Sequence, residues 1–280
     1  PGIAVDGDQV SLQWGEDRVA APELSLWRAP TDNDGVATGW MRERGIRHRW
    51  LGWGLDRLEM IDVDVALAGG AVTRRVRWSA PGSDVEISHR QRLRRVGDDV
   101  AVSEEVVIPA ELEDIPRVGV HLVLDGGYES LEWSGLGPGD SYPDRLGAVR
   151  WGRWSSTVSD QYVEWVMPQH HGLHLGTEWF ELGSPAAAIR ISAPRPFGFS
   201  ALHHSEAQLT AALLTSDLPI APFDATHVHL DAAHRGLGTA ACGPDTAERH
   251  RVGGGTRRWT WILSAASVSS RRPRPVSGRA

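Results

Sequence analysis

A chain of 280 residues, 41% of them hydrophobic, can bury a sizeable core, which excludes a disordered or low-complexity protein. Its 29 basic residues are all Arg, scattered among 36 acids for a net charge of −7, and this excludes a nucleic-acid partner. No apolar run approaches the ~20 residues that span a bilayer, and the lone cysteine, Cys242, excludes an intramolecular disulfide and a thiolate metal cluster.

In chain order, the first dense motif is Trp27-Arg28-Ala29-Pro30-Thr31-Asp32-Asn33-Asp34-Gly35. Pro30 fixes one φ, the Asx side chains can bond back to nearby amides, and Gly35 permits backbone angles closed to other residues. The loop Asp32 to Arg42 has a small, flexible middle between Gly35 and Gly39 and reads as a hinged lid. Trp40, Trp50 and Trp53 follow, and are expected to form an exposed apolar patch. Turns are expected at Gly69-Gly70, Pro81-Gly82, Gly97-Asp98-Asp99 and Asp125-Gly126-Gly127.

Between the turns, hydrophobicity alternates with period two. Val85, Ile87, His89, Gln91 and Leu93 share one face, against Glu86, Ser88, Arg90, Arg92 and Arg94 on the other. Val100, Val102, Val106 and Ile108 form a second strand, interrupted by Glu104. Val118 to Leu124, Val228 with Leu230, and Trp259 with Trp261 and Leu263 form others. Many short strands at this spacing predict an all-β sandwich or a related double-layer sheet. One helix is expected after Ser205, capped by Ser205 with Gln208 three residues on. A single domain over 1–265 and a flexible tail over 266–280 complete the reading. Of the 13 Trp, about 70% are expected in the core.

The candidate chemistry is sparse. Acids are expected mostly at exposed strand positions or turns, and Glu104 and Glu105 point to opposite faces, so they cannot act as a pair. His227 and His229 share a strand face, a spacing that can hold a metal, but no third ligand is evident. The pairs His170-His171 and His203-His204 read as polar loop residues. Nothing beside Cys242 would lower a thiol pKa.

Two further motifs are Gly135-Leu136-Gly137-Pro138-Gly139-Asp140-Ser141-Tyr142-Pro143-Asp144-Arg145 and Gly236-Leu237-Gly238-Thr239-Ala240-Ala241-Cys242-Gly243-Pro244. Taken in order with the first, they resemble the C-terminal, small-chain domain of family 2 β-galactosidases over roughly residues 10–264. Segments 157–162, Met167-Pro168-Gln169 and Phe199-Ser200-Ala201 add to the likeness. Asp140 stands where many members have Glu, His170-His171 replaces Glu-Asn, and Cys242 occupies a place where some members carry a sugar-stacking Trp.

The resemblance implies a large antiparallel supersandwich of the galactose-mutarotase-like type with one or two short helices. It implies packing on a catalytic (β/α)8 barrel that hydrolyses terminal β-D-galactosides such as lactose with retention. The paired Glu residues would lie in the barrel, as would any magnesium or sodium ions, leaving no catalytic residue and no cofactor here. Arg28, Asp32, Asn33, Asp34, Gly35 and Cys242 would border the substrate. The expected partners are the barrel and, through it, the galactoside, with homo-oligomer formation open and no membrane. Because residue 1 is Pro and no leader follows, the chain reads as an excised fragment, expected in the cytoplasm. The alternatives are a stand-alone carbohydrate-binding or aldose-epimerase-like protein, for which no His–carboxylate motif is visible, and a purely structural domain.

Overall fold

A computed structural model describes residues 1–35 and 45–267. Fifteen antiparallel strands and two short helices are seen among them. The first three strands, β1 (Gly2–Asp6), β2 (Gln9–Trp14) and β3 (Asp17–Ala20), form a small sheet of their own. The remaining twelve are β4 (Glu23–Ser25), β5 (Glu59–Ala68), β6 (Ala71–Ser79), β7 (Ile87–Val96), β8 (Asp99–Ile108), β9 (Arg117–Asp125), β10 (Ser130–Gly137), β11 (Arg150–Thr157), β12 (His174–Gly183), β13 (Ala188–Leu202), β14 (Ala225–His234) and β15 (Gly255–Ala266). They make one large sheet of order β11-β10-β12-β13-β15-β8-β7-β6-β5, from which β14, β9 and β4 branch at β13.

The alternation read from sequence places these strands. In β7, Ile87, His89, Gln91 and Leu93 are buried, and Ser88, Arg90, Arg92 and Arg94 are exposed. In β8, Val100, Val102, Glu104, Val106 and Ile108 point inward and Glu105 points away. The β5–β6 hairpin closes on Gly69-Gly70, both with positive φ (57° and 72°), as a two-residue primed turn requires. Four buried clusters are seen among the described residues, two of them large. One gathers Leu93, Trp133, Phe180, Phe199 and Trp261 from the large sheet, and Val10, Leu12 and Trp14 pack the small sheet against it. The other holds Trp27, Trp50 and Trp78.

Helix α2 (Glu206–Ala211) starts where the capping box predicts. The Ser205 hydroxyl accepts from the Gln208 N–H, and the Gln208 side chain accepts from the Ser205 N–H. Helix α1 (Ile46–Gly52) carries no such signal, since Gly45 at its N-cap offers no side chain. It is held by Trp50, which lies edge-to-face on Trp27 at 6.2 Å and donates to the Asp114 carbonyl at 2.7 Å.

This corrects the expected tryptophan patch. Trp50 is fully buried, Trp53 is half-buried with Arg49 4.8 Å over its ring, and Trp40 lies outside the described residues. Of the twelve described Trp, six are buried, four partly so, and Trp151 and Trp165 are exposed, which is fewer in the core than composition suggests. The expected hinge residues Val36 to Arg42 lie outside the described residues; the tail expected over 266–280 starts too early, since Ala266 ends β15, and from 268 onward it too lies outside them.

Candidate functional site

The three motifs meet in space. The first leaves β4 and folds back on itself around Asp34, whose carboxylate accepts two bonds from the Arg28 guanidinium (2.8 and 2.9 Å) and two from Thr31. Arg28 and Asp34 are both fully buried. The third motif enters through Arg235, also fully buried, which grips Asp114 with two bonds and reaches Asp245 at 2.9 Å and Asp34 at 3.5 Å. Arg28 donates to the Arg235 carbonyl at 3.2 Å, and both guanidinium groups lie within 6 Å of the Trp50 ring centre. Two buried cations so close are tolerated because carboxylates surround them. Burial works against the Arg235 charge, yet Asp114 and Asp245 outweigh it and raise its pKa.

Side chains from the first two motifs hold the third in place. The Asn33 side chain donates to the Gly238 carbonyl (3.0 Å) and accepts from the Ala241 N–H (3.1 Å). Asp144 accepts from the N–H groups of Leu237 (2.9 Å) and Gly238 (2.7 Å), and Arg145 donates to the Gly238 carbonyl. Gly238 sits at φ +63°, and an added Cβ would meet the Thr246 nitrogen at 2.7 Å, so the close approach requires glycine.

A second buried polar group lies alongside. Glu206, in the first turn of α2, accepts from the Ala29 N–H at 2.6 Å, from Arg117 at 2.9 Å and through a 2.8 Å contact with His170. Arg117 also chelates Asp231. Burial opposes the Glu206 charge, but His170, Arg117 and the Ala29 amide outweigh it and hold its pKa far below the carboxylate range. At Asp231 the balance reverses: burial exceeds the pull of Arg117 and raises the pKa.

Acids lie mostly outside the core, as expected; among the described residues the buried ones are Asp34, Glu104, Asp114, Glu206 and Asp231, each held by Arg or His. His170 and His171 lie in the loop before β12, as expected, and are buried there. Glu206, Arg117 and Arg235 escaped the sequence reading, and His170 was read only as a polar loop residue. Only their proximity to motif residues would have pointed to them, since their partners are distant in the chain.

The six predicted border residues divide in two. Arg28, Asp34 and Gly35 are buried, and the Gly35 φ of 104° suits glycine alone. Asp32 and Cys242 are exposed and Asn33 is half-buried. Asn33 joins the Asp34 turn to the stretch that carries Cys242. The Asp32 N–H donates to Gln169, and a shallow recess beside it is lined by Pro30, Gly35, Met167 and Leu213.

An apolar ledge adjoins that recess: Trp165 (44% exposed), Val166 (84%), Leu213 (50%) and Leu214 (54%). Thr215 ties its two segments together by donating to the Trp165 carbonyl. His227 and His229 share a face, as their spacing predicts, with the His121 ring stacked against both. Among the described residues no group of three or more His, Cys, Asp or Glu is arranged to hold a metal ion, and no helix is long and apolar enough to cross a membrane.

A mostly β, curled antiparallel domain whose three motif loops are locked at one junction is the class that fold and site define. The chain belongs to the β-galactosidase small-chain family, whose model matches residues 4–262. It is 32% identical to a β-galactosidase of Arthrobacter sp. (strain B7) over 81% of this chain and 24% of that protein. It is 26% identical to one of Actinobacillus pleuropneumoniae over 82% and 22%, and 25% identical to one of Kluyveromyces lactis over 89% and 24%. The chain thus spans about a quarter of the length of the curated relatives it matches. Among solved structures, a galactose mutarotase-like protein from Lactobacillus casei is similar over 95% of this chain and 100% of that one, with 12% identity and a TM-score of 0.45.

Proposed function

We propose that this chain is the part of a retaining β-galactosidase that packs on the catalytic barrel and completes the wall of its sugar site. The observation that carries this reading is the loop junction with the apolar ledge beside it. Buried Arg28–Asp34 and Arg235–Asp114 pairs hold three loops rigid, while Asp32, Asn33 and Cys242 remain at the rim. A ledge of four exposed large apolar side chains next to such a rim is the sort of surface that a neighbouring domain covers. On this reading the acid/base and nucleophile of galactoside hydrolysis come from the rest of the protein, and the buried carboxylates among the described residues, each held by Arg or His, serve the fold. The substrates are terminal β-D-galactosides such as lactose.

Three preparations test this: the chain alone, the other three-quarters of a β-galactosidase alone, and the two mixed. The chain alone should release no nitrophenol from nitrophenyl β-galactoside. The mixture should hydrolyse it, while the larger piece without the chain should not. Activity of the re-purified chain alone, or full activity of the larger piece without it, would sink the proposal.

A further inference from the structure

Strand β13 exchanges one of its two neighbours midway along its length and keeps β12 on the other side. As far as Ser192 it lies between β12 and β15, with Ser192 opposite Trp179 and Ile262. From Gly198 onward it pairs with β14. Between these stretches come Ala193-Pro194-Arg195-Pro196, and the two prolines lack the N–H that a ladder needs. From Ile262 back to Gly255, β15 continues beside β8. The sheet splits there, and the split opens into a cleft of about 680 Å³, within the size range of small-ligand sites.

The lining is strongly basic: Arg90, Arg92, Arg195, Arg257 and Arg258, with Trp259 among them. Of the acids in the lining, Glu104 is buried and held by His89 and Trp261, and Asp231 is buried and held by Arg117. Glu105 is bonded to both Arg90 and Arg258. Arg92, Arg195 and Arg257 have no carboxylate partner among the described residues; Arg195 reaches only the Arg258 carbonyl and Arg257 only that of Gly253. In a chain of net charge −7 this is a concentrated positive site. Its walls are also partly apolar, from Phe197, Pro194, Pro196 and Trp259, and the Trp259 indole N–H has no acceptor among the described residues.

We propose that this cleft binds an anionic saccharide, a sugar bearing a phosphate or a carboxylate. Guanidinium forks match both anions in bidentate geometry. The Trp259 ring and its neighbours offer an apolar surface to the C–H face of a sugar, which a bare anion would leave unused.

Calorimetric titration of the full chain at low salt tests this with four probes: galactose 6-phosphate, galacturonate, galactose and inorganic phosphate. At least one of the two acidic sugars should bind with one-to-one stoichiometry, and which one does so identifies the anion. Neutral galactose and inorganic phosphate should each bind at least roughly tenfold more weakly, since each lacks one of the two sets of contacts. The exposed variants Arg92→Glu and Arg195→Glu should each weaken acidic-sugar binding by about tenfold or more. Trp259→Phe should weaken it while sparing phosphate. The proposal is overturned if neither acidic sugar binds, if inorganic phosphate binds as tightly as the sugar phosphate, or if both charge reversals, with unchanged circular dichroism, leave the affinity intact.

Discussion

Asp34 accepts from Arg28, Thr31 and, at longer range, Arg235, and its own carbonyl accepts from the Arg47 N–H at the start of α1. Replacing it with Ala leaves two guanidinium groups buried beside Trp50 with one carboxylate fewer. Removing one partner of a buried pair costs about 3–5 kcal/mol, far more than the pair itself contributes. Asp34→Ala should therefore lower stability by that amount in urea titration. A loss under 1 kcal/mol would mean that water or a rearranged acid reaches Arg28. The motif Trp27–Gly35 was legible in the sequence because its residues are neighbours there. Arg235 and Asp114 were not legible, because an ion pair across 121 positions leaves no local pattern.

At the scale of single elements, local chemistry decided what could be read. Helix α2 begins on a reciprocal Ser205–Gln208 capping box, visible as a spacing of three. Ser205→Ala should cost about 1 kcal/mol of unfolding free energy, and somewhat more if Glu206 is drawn away from Ala29 and Arg117. Unchanged stability would show that α2 is fixed by Leu209 and Glu206 alone. Helix α1 has no cap to read, and its Trp50 is explained only by the cluster it enters. Strands were legible wherever one face met the core, as in β7 and β8. The partner change in β13 was not, since nothing in the alternation of residues 188–202 records which strand lies alongside.

Several histidines share a further element-scale property. Burial, unrelieved by any carboxylate, pushes His174 down to about 4, and burial together with His227 does the same to His121. Burial also holds His229 and His234 well below the ordinary value. Their folded-state pKa values lie below the unfolded value of about 6.5, so between those limits the unfolded chain binds protons that the folded chain refuses. The stability these four rings contribute is complete above pH 6.5 and falls as pH drops from 6.5 toward 4, by up to about 1.4 kcal/mol per pH unit for each such histidine. Urea midpoints measured across that range should fall with acid. A flat profile would show that these rings are protonated in the fold. His174→Gln should reduce the slope whatever its effect at neutral pH.

For the whole molecule, the proposed docking on a barrel makes the ledge the place to intervene. Val166 and Leu214 are more than half exposed, so Val166→Asp and Leu214→Asp should leave the melting temperature within a few degrees of the parent value. In the reconstituted enzyme, the pair should weaken association at least roughly tenfold. Association unaffected by both changes would move the contact to another face.

The main path of the large sheet ends at β11 and β5, neither paired along its outer side among the described residues. On β5, Met60, Ile61 and Leu67 are exposed, and on β11, Trp151 is 60% exposed. An uncovered rim is a template on which another copy can add a strand. Along β5 the cross-strand pairs Arg75–Asp64 and Arg77–Asp62 place alternating charge beside the apolar side chains, which discourages such stacking while ionic strength is low. The same arrangement sets a colloidal limit: concentrated salt screens those charges and leaves the greasy rim undefended, so solubility becomes a property of two strands, independent of how well the core is packed.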